Sequence, residues 1–545
     1  MAFMLVGCLF PEAQGQIVLK APEFDKVLQE VERRMDDEGR DMVGIVLPMD
    51  VDFMAEAAMS VEGNHRVWRL GVQAKDALAN CLYFDDFYLP PGAELNFSTP
   101  KGRFAEQWEG APVTSLENNA HHRWCNDEVP GDEVLVELMV PLGVTEPARL
   151  HAEGLGYFVR GNRFPAPFDF ANDRGGSDEC QVDVNCPEGD SWACEKDGVV
   201  KLRITQGGGI FLCSGSMVNN TAKDCRQLML TSLHCADEVD DEWPYFKVQF
   251  NYEFSECGGT SSVNSHTRTG VIHLTDSDDM VNGQIQGSDF LLVEVEDPID
   301  TSWVPFFAGW DASGNPGQGG VGIHHPSGDR KKISTYGGTL TTSSGYAPGA
   351  HWKVYWIATE TNHGVTEGGS SGSPIFNESH HIVGTLSGGS SFCTAPYAPD
   401  LYGKMNRHWE VSGLPDTLQL SAFLDPLATG QLTMNGSYKH VNSNGEASCD
   451  VFGSCDATRV EESLLNGLEV LPNPSAGRVR VALPEGFALD RVDVYDSMGR
   501  LHQTLSAQGM DKAMDLDLTS MGPGMMYVTV HTRGGWSTTR RVLLN

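Results

Sequence analysis

Gly368-Gly369-Ser370-Ser371-Gly372-Ser373-Pro374 is the segment best suited to nucleophilic chemistry. Glycines around a serine permit a sharp turn that exposes the hydroxyl, and they let backbone N–H groups converge on a substrate carbonyl oxygen. A serine hydroxyl is a weak nucleophile until a base takes its proton, and the base needs an orienting group. Upstream, Leu228 to Thr231 reads as a strand running into Ser232-Leu233-His234-Cys235, which sets an imidazole at a strand end. Between the two, Gly287-Ser288-Asp289 leads into Phe290-Leu291-Leu292. Asp289 thus heads an apolar strand, a natural place for a buried carboxylate that orients an imidazole. The competing reading makes Gly-Ser-Ser-Gly a plain loop; three chemistry-bearing segments together outweigh it. The doublets His121-His122 and His380-His381 lack a third ligand at metal spacing, so they read as loop residues, and no metal or other cofactor is expected.

The elements that must carry these groups belong to a chain of 545 residues, enough for three to four domains. Its 38 Lys+Arg against 74 Asp+Glu give a formal charge of −36. No basic face is available to release counterions from nucleic acid or to bind an anionic membrane. Sixty glycines and 28 prolines without a collagen period point to a turn-rich, all-β chain. The thirteen cysteines concentrate between Cys180 and Cys257, with one more at Cys393, and lack zinc-type pairing. That is the pattern of a disulfide framework in an exported protein. The apolar run Ala2 to Phe10 and the small residues Ala13-Gln14-Gly15 read as a signal peptide over 1–15. Residues 16–174 open with a helix over Phe24 to Arg34 and continue as alternating segments of a β-sandwich-like domain. Residues 175–437 hold the cysteine cluster and the chemistry. Residues 438–465 have linker composition and contain Cys449 and Cys455, and 466–545 alternate again as a small β-sandwich.

The order His234, Asp289, Ser371 resembles that of chymotrypsin-like serine proteases, and Ser371-Gly372-Ser373-Pro374 is similar to the string around their nucleophile. Finer motifs resemble bacterial lysyl endopeptidases over nearly all of 180–430. These are Cys180 to Asp190, Ser216 to Thr221, Trp310-Asp311, Ile323-His324-His325-Pro326 and Gly364-Val365-Thr366-Glu367. The resemblance implies a double β-barrel with Ser371 as nucleophile, His234 as base, Asp289 as its orienter, and the N–H groups of Gly369 and Ser371 as an oxyanion hole. It implies disulfides Cys180–Cys393, Cys186–Cys257 and Cys213–Cys235. Cys194 and Cys225 are expected to form an extra bridge, with two thiols as the alternative. Ser387-Gly388-Gly389 would be the pocket wall that pairs with substrate backbone. A trypsin-type pocket base six residues before the nucleophile is missing, since Val365 stands there. The family's Asp-x-Tyr-Gly string is matched by Asp400-Leu401-Tyr402-Gly403, so Asp400 is the expected pocket base. Two departures bear on specificity. The histidine that the family's best-known member has at the position of Ser387 is absent, and so is the tryptophan it stacks on, whose place lies near Ser343 or Tyr346.

Residues 16–174 resemble the propeptide of the same proteases through Leu82 to Leu95 and Pro130-Gly131-Asp132-Glu133, which puts the mature start at Gly175, after Arg174. Leu471-Pro472-Asn473-Pro474, Val492 to Arg500, Gly524 to Val528 and Arg540-Arg541-Val542 resemble a type IX secretion C-terminal sorting domain. The expected protein is a secreted or cell-surface serine endopeptidase. It cuts after Lys, with Arg as an alternative, is handled by the type IX machinery, and is monomeric once processed. The competing expectation is a protease-fold surface protein that binds without cleaving.

Overall fold

A computed structural model describes residues 15–38, 40–100, 110–160, 176–259, 263, 265–441, 447–449, 468–483, 489–496, 500–507, 513–522, 524–532 and 537–544. Residues 1–14 of the expected signal segment, the Arg174–Gly175 junction and Cys455 lie outside them. Strands dominate, and the longest helix among the described residues is Phe24–Glu38, a turn longer than the sequence suggests. No described helix is long and apolar enough to cross a membrane.

The N-terminal region is two sheets around one core. Strand Glu133–Pro141 shows the logic: Val134, Val136, Leu138 and Val140 face the core while the residues between them face out, as the two-residue period of a strand requires. The second of these sheets, built on Asp41–Asp52, Ala79–Tyr88 and Arg149–Phe158, does not end at its own edge. Asp41–Asp52 pairs antiparallel with Gly209–Met217, with Asp41 opposite Leu212 and Met42 opposite Phe211. One sheet therefore crosses from the N-terminal region into the region carrying the candidate residues.

That second region holds the rest of this sheet and a second sheet of its own. The first contains Val199–Gln206, Gly209–Met217, Leu228–Thr231, Lys247–Phe250, Val271–Asp276 and Leu291–Val295; the second contains Gly320–His324, Lys332–Tyr336, His351–Val354, Pro374–Asn377, His381–Gly389 and Asp400–Lys404. Each has an apolar core, and a third core, including Trp310, Ile323, Phe290 and Leu230, joins them. Strands Val199–Gln206 and Gly209–Met217 are buried on both faces because the N-terminal region covers the outer one. The C-terminal residues form a three-stranded and a four-stranded sheet around a core that includes Val481, Val494 and Val528.

The structure joins Cys180 to Cys393, Cys186 to Cys257 and Cys213 to Cys235, with Cα separations of 5.5, 4.4 and 6.4 Å. The expected Cys194–Cys225 bridge is corrected. Cys225 is joined to Cys449, Cα 5.2 Å away, while Cys194 is buried in the core between the sheets. The two lie in different cores, which is why they cannot meet. Cys449 N also donates to Lys223 O, and Asn219 Nδ2 to Cys449 O. The segment reaching Cys449 is thus pinned to the region carrying the candidate residues, although its composition reads as linker.

Candidate active site

The turn Glu367–Ser373 is held from both sides. Ser214 N donates to Ser371 O at 2.8 Å and Ser214 Oγ to Gly369 O at 2.9 Å. Gly372 N donates to Leu386 O, the same carbonyl that accepts from Ser232 Oγ in the histidine segment. Gly372 has φ +78, and a Cβ there would collide with Thr231 Oγ1 and the Ser214 carbonyl, so only glycine lets the turn sit this close to the strand leading to His234. Three serines share the turn, and burial separates them. Ser370 and Ser373 are fully buried, and Ser370 Oγ bonds to His324 Nδ1 at 2.8 Å; Ser371 alone is partly exposed.

His234 sits in the short turn Leu233–Cys235 after strand Leu228–Thr231, braced by the Cys213–Cys235 disulfide. Its backbone N donates to Asp289 Oδ1 at 2.9 Å and its Nδ1 to Asp289 Oδ2 at 2.8 Å. The double contact fixes the ring so that Nε2 carries the lone pair. Nε2 is buried with no hydrogen-bond partner among the described residues, so the bond to Ser371 Oγ is not made in this structure. Asp289 is fully buried at φ +63, a conformation that persists only where surroundings hold it, and its N donates to Asp279 Oδ2 at 2.9 Å. The N–H groups of Gly369 and Ser371 make no hydrogen bond among the described residues, while Gly369 adopts φ +82.

Asp400 begins strand Asp400–Lys404 and is fully buried. Its Oδ1 accepts from the N–H groups of Ser390 (3.2 Å) and Ser391 (3.0 Å). Its Oδ2 accepts from Trp356 Nε1 (2.6 Å), Thr366 Oγ1 (2.7 Å) and Ser391 Oγ (2.6 Å). Thr366 follows Val365, which is buried in the core, so the carboxylate missing at 365 is delivered beside that position from another strand. Gly389 lies directly over Asp400, and a Cβ on it would overlap the carboxylate. Ser387 Oγ lies 3.0 Å from His351 Nε2. Gly388, at φ +150, leaves room for the Tyr346 hydroxyl. Of the two candidates for the missing tryptophan's place, Ser343 is buried and accepts a turn N–H, while Tyr346 presents a ring. His351, Trp356 and Thr366 are the residues that sequence reading missed; the alternation of Trp352, Val354 and Trp356 was a signal for Trp356, while nothing local marks His351, which is buried on the other parity.

The histidine doublets have other partners: His121 Nε2 lies 2.7 Å from Glu296, His122 Nδ1 faces Arg149, His380 pairs with Glu195, and His381 bonds Asn435. Asp178, Glu367 and Cys393 cluster closely, but Cys393 is spent in a disulfide.

Residues 174–403 match the protein family described as lysyl endopeptidase, C-terminal domain, and residues 469–545 match the secretion system C-terminal sorting domain. The chain carries both domains. A lysyl endopeptidase of Pseudomonas aeruginosa is 29% identical over 282 residues, 49% of this chain and 57% of that protein, so the match spans little more than half of the relative's length. Similar solved structures include a thermostable serine protease, AL20, from an extremophilic microorganism (17% identity, 39% of this chain and 93% of that one, TM-score 0.28). Another is the protease Anisep from Arthrobacter nicotinovorans (18%, 38% and 90%, TM-score 0.28). The lysyl endopeptidase-like region is an all-β fold, with the candidate residues where its two sheets meet. The sorting domain marks the protein for export to the cell surface or beyond it.

Proposed function

We propose that residues 175–437 are a serine endopeptidase that hydrolyses peptide bonds on the carboxyl side of Lys. The observation that carries this reading is the Asp289–His234 pair, with Nε2 unengaged, beside the one partly exposed serine of a braced glycine turn. Ser371 Oγ attacks the scissile carbonyl as His234 Nε2 takes its proton. Asp289 holds the ring and offsets the imidazolium charge. The Gly369 and Ser371 N–H groups receive the oxyanion, a contribution of about 3–4 kcal/mol for each donor. His234 then protonates the leaving amine, and water repeats the cycle on the acyl-enzyme. Ser387-Gly388-Gly389 pairs with substrate backbone.

Asp400 supplies the negative pocket base, and its surroundings favour Lys over Arg. A guanidinium binds a carboxylate best as a two-pronged fork that needs two parallel free acceptor sites. Five donors already occupy Asp400 on both oxygens. A compact ammonium needs only the charge and one approach, shared with the Ser391 and Thr366 hydroxyl oxygens. Residues 1–15 would be a signal peptide and 16–174 a propeptide removed at Arg174. A linker ends at 465, and the type IX machinery reads 466–545. The processed enzyme would act as a monomer on protein substrates with a basic residue before the cut.

The test is a mass-spectrometric map of cuts made in a denatured proteome by the processed protein, with Ser371→Ala as control. Cuts after Lys that vanish in the control are expected. Cuts after Arg in equal measure would overturn the specificity argument. No Ser371-dependent cuts, together with no adduct from a serine-directed phosphonate, would leave a binding protein on a protease fold.

A further inference from the structure

Behind the pocket wall lies a second buried imidazole. His351 heads strand His351–Val354, fully buried, with Nε2 on Ser387 Oγ and Nδ1 without a hydrogen-bond partner among the described residues. Burial pushes its pKa down to about 4, against the pull of the Asp289 carboxylate and with Lys404 and His234 adding to the depression. The ring is neutral at neutral pH and lies within the field of the Asp289–His234 pair. It packs on Tyr346, ring centroids 5.3 Å apart. Tyr346 is 46% exposed and adopts φ +54, a left-handed backbone that a bulky residue keeps only when neighbours hold it. It lies over Gly388, whose lack of a Cβ admits the Tyr346 hydroxyl. Burial, Asp289 and Asp400 all raise the Tyr346 phenol, so the ring lies within the field of both carboxylates.

Ser387 is no ordinary wall residue. The carbonyl before it, Leu386 O, ties the nucleophile turn to the histidine segment through Gly372 N at 2.8 Å and Ser232 Oγ at 2.9 Å. Whatever fixes Ser387 therefore fixes the meeting point of wall, turn and base.

We propose that His351 is a positioning residue for substrate specificity: it anchors Ser387 and backs Tyr346 over Gly388, so that a P1 ammonium is aimed at Asp400 while its carbonyl reaches Ser371. This rests on the protease reading above. Small misplacements of a reacting group are costly in rate, which is why an anchor one layer behind the wall matters.

The test uses the protein expressed as the full chain and then matured. Labelling of Ser371 by a phosphonate with a small neutral P1 group reads the triad alone; its absence in the wild type would sink the protease reading and this one with it. With labelling present, His351→Phe keeps the ring packing and removes the bond to Ser387. The expected result is a KM for Lys peptides raised about tenfold, the size expected for an unmade hydrogen bond in a buried site, with labelling within about twofold of the wild type. Ser387→Ala should give the same rise, and the double variant no more than the larger single one, because both remove one bond. His351→Gln, which can still bond Ser387, should recover most of the loss. Unchanged KM in His351→Phe and Ser387→Ala, or additive rises in the double variant, would overturn the proposal while leaving the protease reading intact. Should His351→Phe fail to mature, Ser387→Ala decides by the same criterion.

Discussion

Replacing Asp400 by Asn is the most informative single change, because its consequences for folding and for substrate can be worked out separately. The amide keeps the carboxylate's shape. Its oxygen, placed on the Oδ1 side, still accepts from the Ser390 and Ser391 N–H groups. Its NH2 then faces Trp356 Nε1, Thr366 Oγ1 and Ser391 Oγ. The two hydroxyls can rotate to accept from it, but an indole N–H can only donate. One buried donor is left opposed by another, so Asp400→Asn should lower folding stability by about 1–3 kcal/mol. Trp356→Phe in the same background should restore part of that. The loss for substrate is larger. Removing one partner of a buried ion pair costs about 3–5 kcal/mol, or roughly 10²- to 10⁴-fold in kcat/KM for Lys peptides. Labelling of Ser371 by a neutral-P1 phosphonate should change by less than about tenfold, since that reagent never uses the pocket charge. Denaturant titration, peptide kinetics and labelling rates separate the three effects. Unchanged Lys kinetics would remove Asp400 from the pocket, and labelling lost in step with peptide cleavage would mean that the residue supports the fold and nothing more.

Three further outcomes follow from the geometry. Burial, reinforced by Glu367 and opposed by Arg160 and Lys201, pushes the Asp41 carboxyl up to about 6, and Asp41 sits against Gly368 of the nucleophile turn. An acid raised on docking binds its proton more tightly when docked. Docking of the N-terminal region should therefore be strongest below about pH 4 and weaken as pH rises to about 6, by up to about 3 kcal/mol; Asp41→Asn should flatten that pH dependence in a pull-down of the two cleaved pieces. Burial alone would raise Glu253, but Lys331 and Lys196 bring it down to about 2, so its stabilisation is present above pH 4.5 and lost as pH falls towards 2. Glu253→Gln should cost about 3–5 kcal/mol at neutral pH by leaving buried lysine charge unpaired, read by chemical denaturation. A non-reducing digest should yield a peptide pair joined through Cys225 and Cys449, and Cys449→Ser should lower stability by about 2–4 kcal/mol; a Cys194–Cys225 peptide pair would contradict the structure.

What could be read from sequence was what chemistry imposes locally. The glycine turn at Ser371, the strand-end His234 and the strand-head Asp289 each announce themselves within a few residues, and Asp400 sits in a short string of its own. What could not be read depends on strand register. Asp400 receives Trp356 only because Val354 pairs with Asp400, and His351 reaches the wall only because it pairs with Gly403, one strand away from Ser387. A one-residue slip would turn both side chains to the opposite face. Cys225–Cys449 was hidden for a related reason: 224 residues separate the partners, and polar composition around Cys449 suggests a tether when the backbone is in fact anchored.

Strand Val199–Gln206 shows the same principle at the scale of domains. Its apolar residues Val200, Leu202 and Ile204 face a core, yet Lys201 and Arg203 between them are buried too. Arg203 reaches Glu128 and Asn126 O, Lys247 reaches Asp127, and the Tyr83 and Thr205 hydroxyls meet, so the N-terminal region covers this strand through charged and polar groups, while Ile210 and Leu212 of the next strand meet Val43, Ala79 and Phe158 in an apolar cluster. A face meant to stay covered would be expected to be apolar, as permanent interfaces are. A strand of lysines and arginines stays soluble when its cover leaves, and the Asp41–Asp52 strand on the edge of Gly209–Met217 gives up sheet hydrogen bonds that water or another extended chain can replace, together with the apolar contacts of Met42 and Val43. The charge pattern of that strand supports the proposal that residues 16–174 are a propeptide, with the apolar cluster at Ile210 and Leu212 as the part of the contact that opposes release.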